Sequence, residues 1–299
     1  MSTPTSLALP DGVRRTGIQT SRGLFAALEA LPVPGVCERE TALLIPGYTG
    51  SKEDFLALLD QLAAAGRRVI AIDMRGQYQT AGVPDGYAAD SLGADIAAVA
   101  RETGARHLLG HSFGGLIARE AMLAAGVRGL AGDGIASFTL MSSGPSALTG
   151  PRADELRSLL TALGTDGDLP VAEIWQTYLE PQAVAAGVPP TIVAFLRERM
   201  LSNDPNALVE MARQLLTAQD RTDELARLRD IPMLVIYGEN DNSWSPDTQE
   251  DMARRLGARR VCIPGAVHSP NVEAPATTAS ALTSFWNQAE AVCSARSRI

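Results

Sequence analysis

The chain has 299 residues, 45% hydrophobic and 20% charged, which is the profile of a globular protein able to bury a large core without metal or disulfide staples. Its formal net charge is -8 and its basic residues are scattered in short pairs such as Arg67-Arg68 and Arg254-Arg255, so nucleic acid and anionic membranes are excluded as expected partners. Cys37, Cys262 and Cys293 form no close pair, which argues against a disulfide framework and a zinc site.

The opening MSTPTSLALP lacks the basic and apolar regions of a secretory signal. No apolar run approaches the roughly 20 residues needed to span a bilayer, so a soluble, cytoplasmic protein is expected. Residues 15–20 and 23–31 read as two antiparallel edge strands. A parallel series then begins with the buried-type strand 42–45 (ALLI), broken by Pro46-Gly47-Tyr48-Thr49-Gly50. Ser51 and Asp54 form a capping-box pattern for the helix that follows. Strand 68–73, helix 90–102, a short strand 107–110, helix 113–125 and strand 136–141 continue the alternation. Such alternation predicts a mostly parallel sheet with helices on both faces.

The alternation stops near Ser143. Residues 145–228 carry only helix-period apolar stripes: Leu156, Leu159, Leu160 and Leu163, then Ile192, Phe195 and Leu196, then Leu208, Met211 and Leu215. Most of these side chains are expected to pack with each other and the core. The segment as a whole is read as a helical cap inserted into a core made of residues 1–144 and 229–299. The α/β pattern resumes with strand 233–237 (MLVIY), a helix opened by Ser245-Pro246 and running to Leu256, strand 260–263, and a last helix over 277–291.

Gly110-His111-Ser112-Phe113-Gly114 matches the G-x-S-x-G elbow, between a predicted strand and a predicted helix. A serine hydroxyl needs a base to become a nucleophile. Of the three histidines, His107 reads as a surface residue and His111 as a packing or loop residue beside the elbow. His268 follows the last strand, at the carboxyl end of the sheet where catalytic groups gather, and is the candidate base. Asp241, in the loop after strand 233–237, is the candidate acid that orients it, with Glu239 as runner-up. Asp73 also ends a strand, but with Arg75 it reads as a structural tie of its loop. The backbone amides of Phe113 and Tyr48 are the candidate oxyanion donors, with Gly47 letting the chain pass close to substrate. Ile174, Trp175, Phe195 and Met211 are the large cap side chains expected over the site, and Trp244 is read as either part of its rim or a packing residue of the acid loop.

The motifs GHSFGG, PGYTGS, DMRG, GEND and HSPNVEAP together resemble the α/β-hydrolase family over most of residues 38–144 and 230–299. The loop pattern G-x-T-G-S is most similar to cap-bearing microbial esterases and monoacylglycerol-lipase-like enzymes. This chain departs from many members in having Pro46-Gly47 where they have His-Gly, which keeps the backbone donor and loses a side chain that shapes the loop. The resemblance implies an eight-stranded, mostly parallel sheet with a helical cap. It also implies a Ser112–Asp241–His268 triad acting through an acyl-enzyme on esters, lactones or thioesters, but says little about which. No nucleotide fingerprint or metal-ligand spacing occurs, so no cofactor or metal is expected, and the apolar stripes of the cap predict small to medium hydrophobic substrates. A C–C bond hydrolase, or a lyase or cyclase, is the alternative on the same fold. A ligand-binding protein that has lost catalysis is a third reading, against which the complete triad speaks. Dehalogenase or epoxide hydrolase chemistry fits poorly, because those relatives carry Asp where this chain has Ser112.

Overall fold

A computed structural model describes residues 2–124, 134–164 and 170–296. Strands β1 (Val13–Thr20) and β2 (Gly23–Ala30) form an antiparallel hairpin. Strand β3 (Arg39–Ile45) leads through a 3-10 turn (Lys52–Phe55) into α1 (Leu56–Ala64), and β4 (Arg67–Ile72) follows. Next come α2 (Ala89–Thr103), β5 (His107–His111), α3 (Phe113–Leu123) and β6 (Ser137–Met141). The predicted end of the third helix at Ala125 falls outside the described residues.

Between β6 and β7 the described residues form helices without strands: α4 (Gly150–Leu163), α5 (Val171–Ile174), a π turn (Trp175–Leu179), α6 (Glu180–Ala185), α7 (Pro190–Leu201), α8 (Pro205–Thr217) and α9 (Thr222–Leu225). The chain ends with β7 (Met233–Gly238), α10 (Pro246–Leu256), β8 (Arg259–Ile263), α11 (Pro270–Glu273) and α12 (Pro275–Arg296). The Ser245 hydroxyl caps α10 by accepting from the Thr248 amide at 3.2 Å, as its Ser-Pro start predicts.

The eight strands lie in one sheet in the order β1-β2-β4-β3-β5-β6-β7-β8. Strand β2 pairs antiparallel with β4, and the strands from β4 to β8 run parallel to their neighbours. Alternate residues face opposite sides. Leu43, Ile45, Ile70, Ile72, Val235 and Tyr237 enter one core. Ala42, Leu44, Val69, Ala71, Leu234 and Ile236 enter the other, against Leu59 and Leu62 of α1 and Trp286 of α12. Both faces are covered, which is why the parallel strands read as continuous apolar runs.

The inserted helices divide between two environments. Leu156 of α4 and Met211, Ala212 and Leu215 of α8 belong to the main core. Leu163, Ile174, Trp175, Ile192, Phe195, Leu196, Met200 and Leu208 form a separate outer cluster.

One sequence reading needs correcting. His107 is fully buried rather than on the surface: its Nδ1 lies 2.8 Å from the Ser137 hydroxyl, its Nε2 lies 3.0 Å from the Glu290 carboxylate, and its ring stacks on Trp286. A central parallel strand has no solvent face, so a polar residue there must find buried partners. Asp73 and Arg75 hold their loop structurally, as read, the Asp73 carboxylate accepting from the Gln79 amide at 3.2 Å, and each has its own charged partner. Asp73 pairs with Lys52 at 2.8 Å and Arg75 with Asp95 at 2.6 Å. Among the described residues, no helix is long and apolar enough to cross a membrane.

Candidate active site

Strand β5 runs into α3 with a single residue between them, Ser112, whose backbone is forced to φ 54° and ψ −122°. A non-glycine residue there costs roughly 1–3 kcal/mol and persists only when its surroundings fix it. Two hydrogen bonds do so. The Ser112 amide donates to the Met141 carbonyl at 2.9 Å, and its carbonyl accepts from the Gly115 amide at 2.9 Å. The turn also needs a glycine at 114, because any β-carbon there would strike the Pro46 carbonyl.

His268 sits in the loop after β8. Its Nε2 lies 3.0 Å from the Ser112 hydroxyl and its Nδ1 lies 2.9 Å from Oδ1 of Asp241. In the neutral ring, Nδ1–H donates to the carboxylate and Nε2 is left to accept from the serine. Asp241 is held in turn: Oδ1 accepts from the Ser243 amide at 2.9 Å, and Oδ2 accepts from the Gln249 side chain at 3.0 Å. Burial opposes the Asp241 charge, but the hydrogen bonds from His268, Ser243 and Gln249 outweigh it and hold the carboxyl below the usual carboxylate range. The runner-up Glu239 is exposed and accepts from the Gly265 amide at 2.9 Å, on the far end of the His268 loop.

Gly47 packs directly on the serine: a β-carbon there would lie 3.0 Å from Ser112 Cβ. Among the described residues, neither the Tyr48 nor the Phe113 amide has an acceptor. Backbone donors in buried loops are normally satisfied, so these two amides, one next to Ser112 in the chain and one on the loop packed against it, stand out. The Gly47 carbonyl is anchored by the Gln77 side chain at 2.9 Å, and the Tyr48 hydroxyl donates to the Leu208 carbonyl of α8 at 3.0 Å.

Set beside known proteins, the sequence matches the model of the alpha/beta hydrolase family over residues 42–281. The chain belongs to the alpha/beta hydrolase family. A curated protein of Variovorax paradoxus (strain S110), provisionally named carbamate hydrolase RutD, is 34% identical over 137 residues, covering 44% of this chain and 49% of that protein. The match thus spans about half the length of that relative. Among solved structures, a hydrolase from Pseudomonas aeruginosa PA01 aligns with a TM-score of 0.67 and 25% identity, over 91% of this chain and 98% of that one. A thermophilic esterase from Thermogutta terrifontis aligns with a TM-score of 0.70 and 22% identity, over 92% and 99%.

Within this alpha/beta hydrolase, the other sequence-predicted site residues fall in different places. Trp175 and Phe195 are buried together in the outer cluster, against which Tyr48 also packs. Ile174 belongs to the same cluster, whereas Met211 lies in the main core. Trp244 is buried beside the acid loop, with its ring centre 6.4 Å from that of His268, and its indole N–H donates to the Ser146 carbonyl at 3.0 Å.

Two residues bonded to Asp241 and to the His268 backbone were not picked out as site residues in the sequence. Gln249 is wholly buried and donates to both Asp241 and the Trp244 carbonyl. His111 donates from Nε2 to the His268 carbonyl at 2.8 Å. The glutamine stands on the first turns of the helix after the acid loop, a position from which a long amide can reach back. That placement was the available signal. Among the described residues, no group of three His, Cys, Asp or Glu side chains is arranged to hold a metal ion.

Proposed function

We propose that this alpha/beta hydrolase is a serine hydrolase that cleaves carboxylic esters, lactones or thioesters of small to medium hydrophobic compounds. The observation carrying the reading is the unbroken line of hydrogen bonds from Asp241 through His268 to Ser112, at 2.9 and 3.0 Å, beside two unused backbone amides. Ser112 Oγ attacks the acyl carbon while its proton passes to His268 Nε2. The amides of Tyr48 and Phe113 receive the negative oxygen of the tetrahedral intermediate. His268 returns the proton to the departing alcohol, leaving Ser112 acylated. A water deprotonated by His268 then attacks the acyl group and frees Ser112. Asp241 holds the imidazole in the required tautomer and steadies its charge.

The helices of residues 145–228 act as the cap in this reading. Tyr48 supports it, since its side chain packs against the outer cluster that holds Trp175 and Phe195. An apolar enclosure with few polar groups at its base favours hydrophobic acyl groups. The similarity to the carbamate hydrolase adds a second substrate class, because a carbamate presents the same attackable carbonyl. Work in the reducing cytoplasm is part of this reading, since the exposed Cys37 and Cys262 form no disulfide among the described residues.

The test is labelling with a fluorophosphonate, mapping of the adduct, and turnover of p-nitrophenyl esters and carbamates. An adduct on Ser112 with ester turnover is expected. An adduct without turnover of either would favour C–C bond or lyase chemistry on the same residues, and an unlabelled Ser112 in folded protein would end the proposal.

A further inference from the structure

Arg199 of α7 is fully buried, and its Nη1 donates to Oδ1 of Asp54 at 2.7 Å. Asp54 is buried as well and divides its carboxylate. Oδ1 takes the guanidinium, while Oδ2 accepts from the Ser51 amide at 3.2 Å and lies against Gly50. Gly50 stacks on Gly47, its amide donating to the Gly47 carbonyl at 3.0 Å. The ion pair therefore ends on the loop that carries Tyr48. It reaches the other side of the site too. Asn271, three residues after His268, donates to the Asp54 carbonyl at 2.7 Å. Arg199 Nη2 donates to the Ser2 carbonyl at 2.8 Å, and the Ser2 hydroxyl lies 2.8 Å from that of Ser269.

We propose that Arg199 is a positioning residue for the reaction: through Asp54 it sets, from the helical insertion, the loop whose Tyr48 amide receives the oxyanion. This rests on the serine-hydrolase reading above. Stability is a poor reason for the pair. Two charges taken out of water lose hydration that their attraction barely repays, and well-packed apolar replacements are often as stable. Arg199 is costlier still, since its Nε–H has no partner among the described residues. What such a pair supplies is a fixed register between the elements it joins. The register here is between α7 and the turn after β3. The Tyr48 hydroxyl, bonded to the Leu208 carbonyl of α8, holds the start of the same loop, so helices of the insertion grip it at both ends.

The experiment compares wild type, Arg199→Gln, Arg199→Lys and the paired apolar replacement Arg199→Met with Asp54→Leu. Each is assayed for ester kinetics and for the rate of Ser112 phosphonylation per folded molecule. Losing part of an oxyanion hole acts in the transition state, so Arg199→Gln should lower kcat about 10- to 100-fold with KM changed less than about threefold. Phosphonylation should slow by a similar factor. Arg199→Lys, which keeps the charge opposite Asp54, should recover most of the rate. The apolar pair should melt near the wild-type temperature and stay slow, which separates positioning from folding. A folded Arg199→Gln or apolar-pair enzyme with wild-type kcat, or a change confined to KM, would overturn the proposal. Ser112→Ala serves as the control for the underlying reading. If wild type is not labelled at Ser112, both fall; if labelling is normal and indifferent to Arg199, only the positioning role falls.

Discussion

The imidazole of His111 is bonded to the backbone of His268: Nε2 donates to the His268 carbonyl at 2.8 Å, with ring centres 5.2 Å apart. Because a carbonyl only accepts, His111 carries its proton on Nε2 and its buried Nδ1 is bare. Burial, aided by repulsion from His268, pushes the His111 pKa down to about 3, so the ring is neutral wherever the protein is folded and working.

The consequence is a positioning role without a titration. His111→Leu keeps the bulk and deletes the donor, leaving the His268 loop less firmly placed. A lost hydrogen bond of this kind is worth about 1 kcal/mol, so kcat should fall roughly 5- to 10-fold. The kcat–pH curve between pH 5 and 9 should keep its shape, displaced downward by one factor. A changed shape would show that His111 ionises during turnover.

The acid loop offers a sharper contrast. Asp241 faces His268, while Glu239 is engaged with the Gly265 amide. Asp241→Asn should reduce kcat by about 10³–10⁴, as loss of the orienting carboxylate reverses the favoured tautomer. Glu239→Gln should stay within about twofold, since an amide oxygen still accepts from Gly265. Gln249→Leu strips one donor from Asp241 and should cost about tenfold. An active Asp241→Asn with a dead Glu239→Gln would reassign the acid. The depressed Asp241 pKa also fixes a sign: the carboxylate is fully charged above the ordinary carboxylate range, and its contribution fades only as pH falls below that range.

Much of this was legible in the sequence because it is local. Runs such as 42–45 and 233–237 are apolar throughout, which only a strand buried on both faces tolerates, and both lie inside the observed strands. The elbow glycine at 114 and the Ser-Pro start of α10 state their own backbone requirements. Partners distant in sequence were not legible. His107 is polar in a segment whose burial depends on Glu290, 183 residues later. Asp54 satisfies a local capping pattern, and nothing nearby announces its pairing with Arg199, 145 residues on. Met211 and Phe195 have the same helical periodicity, yet one faces the main core and the other the outer cluster, because periodicity gives a face without saying what the face meets.

The buried side chains around Glu290 predict an acid limit to stability. Its carboxylate receives His107 and Arg67, and these bonds overcome burial and bring its pKa down to about 2, from an ordinary 4.5. A carboxyl depressed by folding contributes stability above its unfolded pKa and loses it as pH falls through the folded value. Glu290→Gln should therefore destabilise the protein by about 1–3 kcal/mol at pH 7, allowing for solvent screening. The gap between mutant and wild type should narrow from pH 4.5 downward and close near pH 2. Urea unfolding at a series of pH values measures it, and a gap independent of pH would refute the assignment.

Phe195 gives the test of substrate selection. It is 7% exposed, meets Tyr78 edge-on at 5.7 Å, and shares the outer cluster with Trp175, Ile192 and Leu208. Tyr48 packs against that cluster with its side chain, while its amide lies on the loop packed against Ser112. In the proposed serine-hydrolase reading, an acyl chain leading away from the reacting carbon runs past Tyr48 toward the outer cluster. Phe195→Leu removes an aromatic ring without adding a polar group, so it should cost only about 1–2 kcal/mol of stability, less than the full truncation to Ala. The vacated space favours longer chains. Each methylene accommodated in an apolar pocket is worth about 1–3 kcal/mol in kcat/KM, so the ratio of octanoyl to butyryl ester turnover should rise at least about tenfold. Val184→Ala, at a 61% exposed position on α6, is the control and should leave the ratio unchanged. A Phe195→Leu enzyme that melts earlier but keeps the wild-type ratio would mean that Phe195 packs the insertion and does not select the substrate.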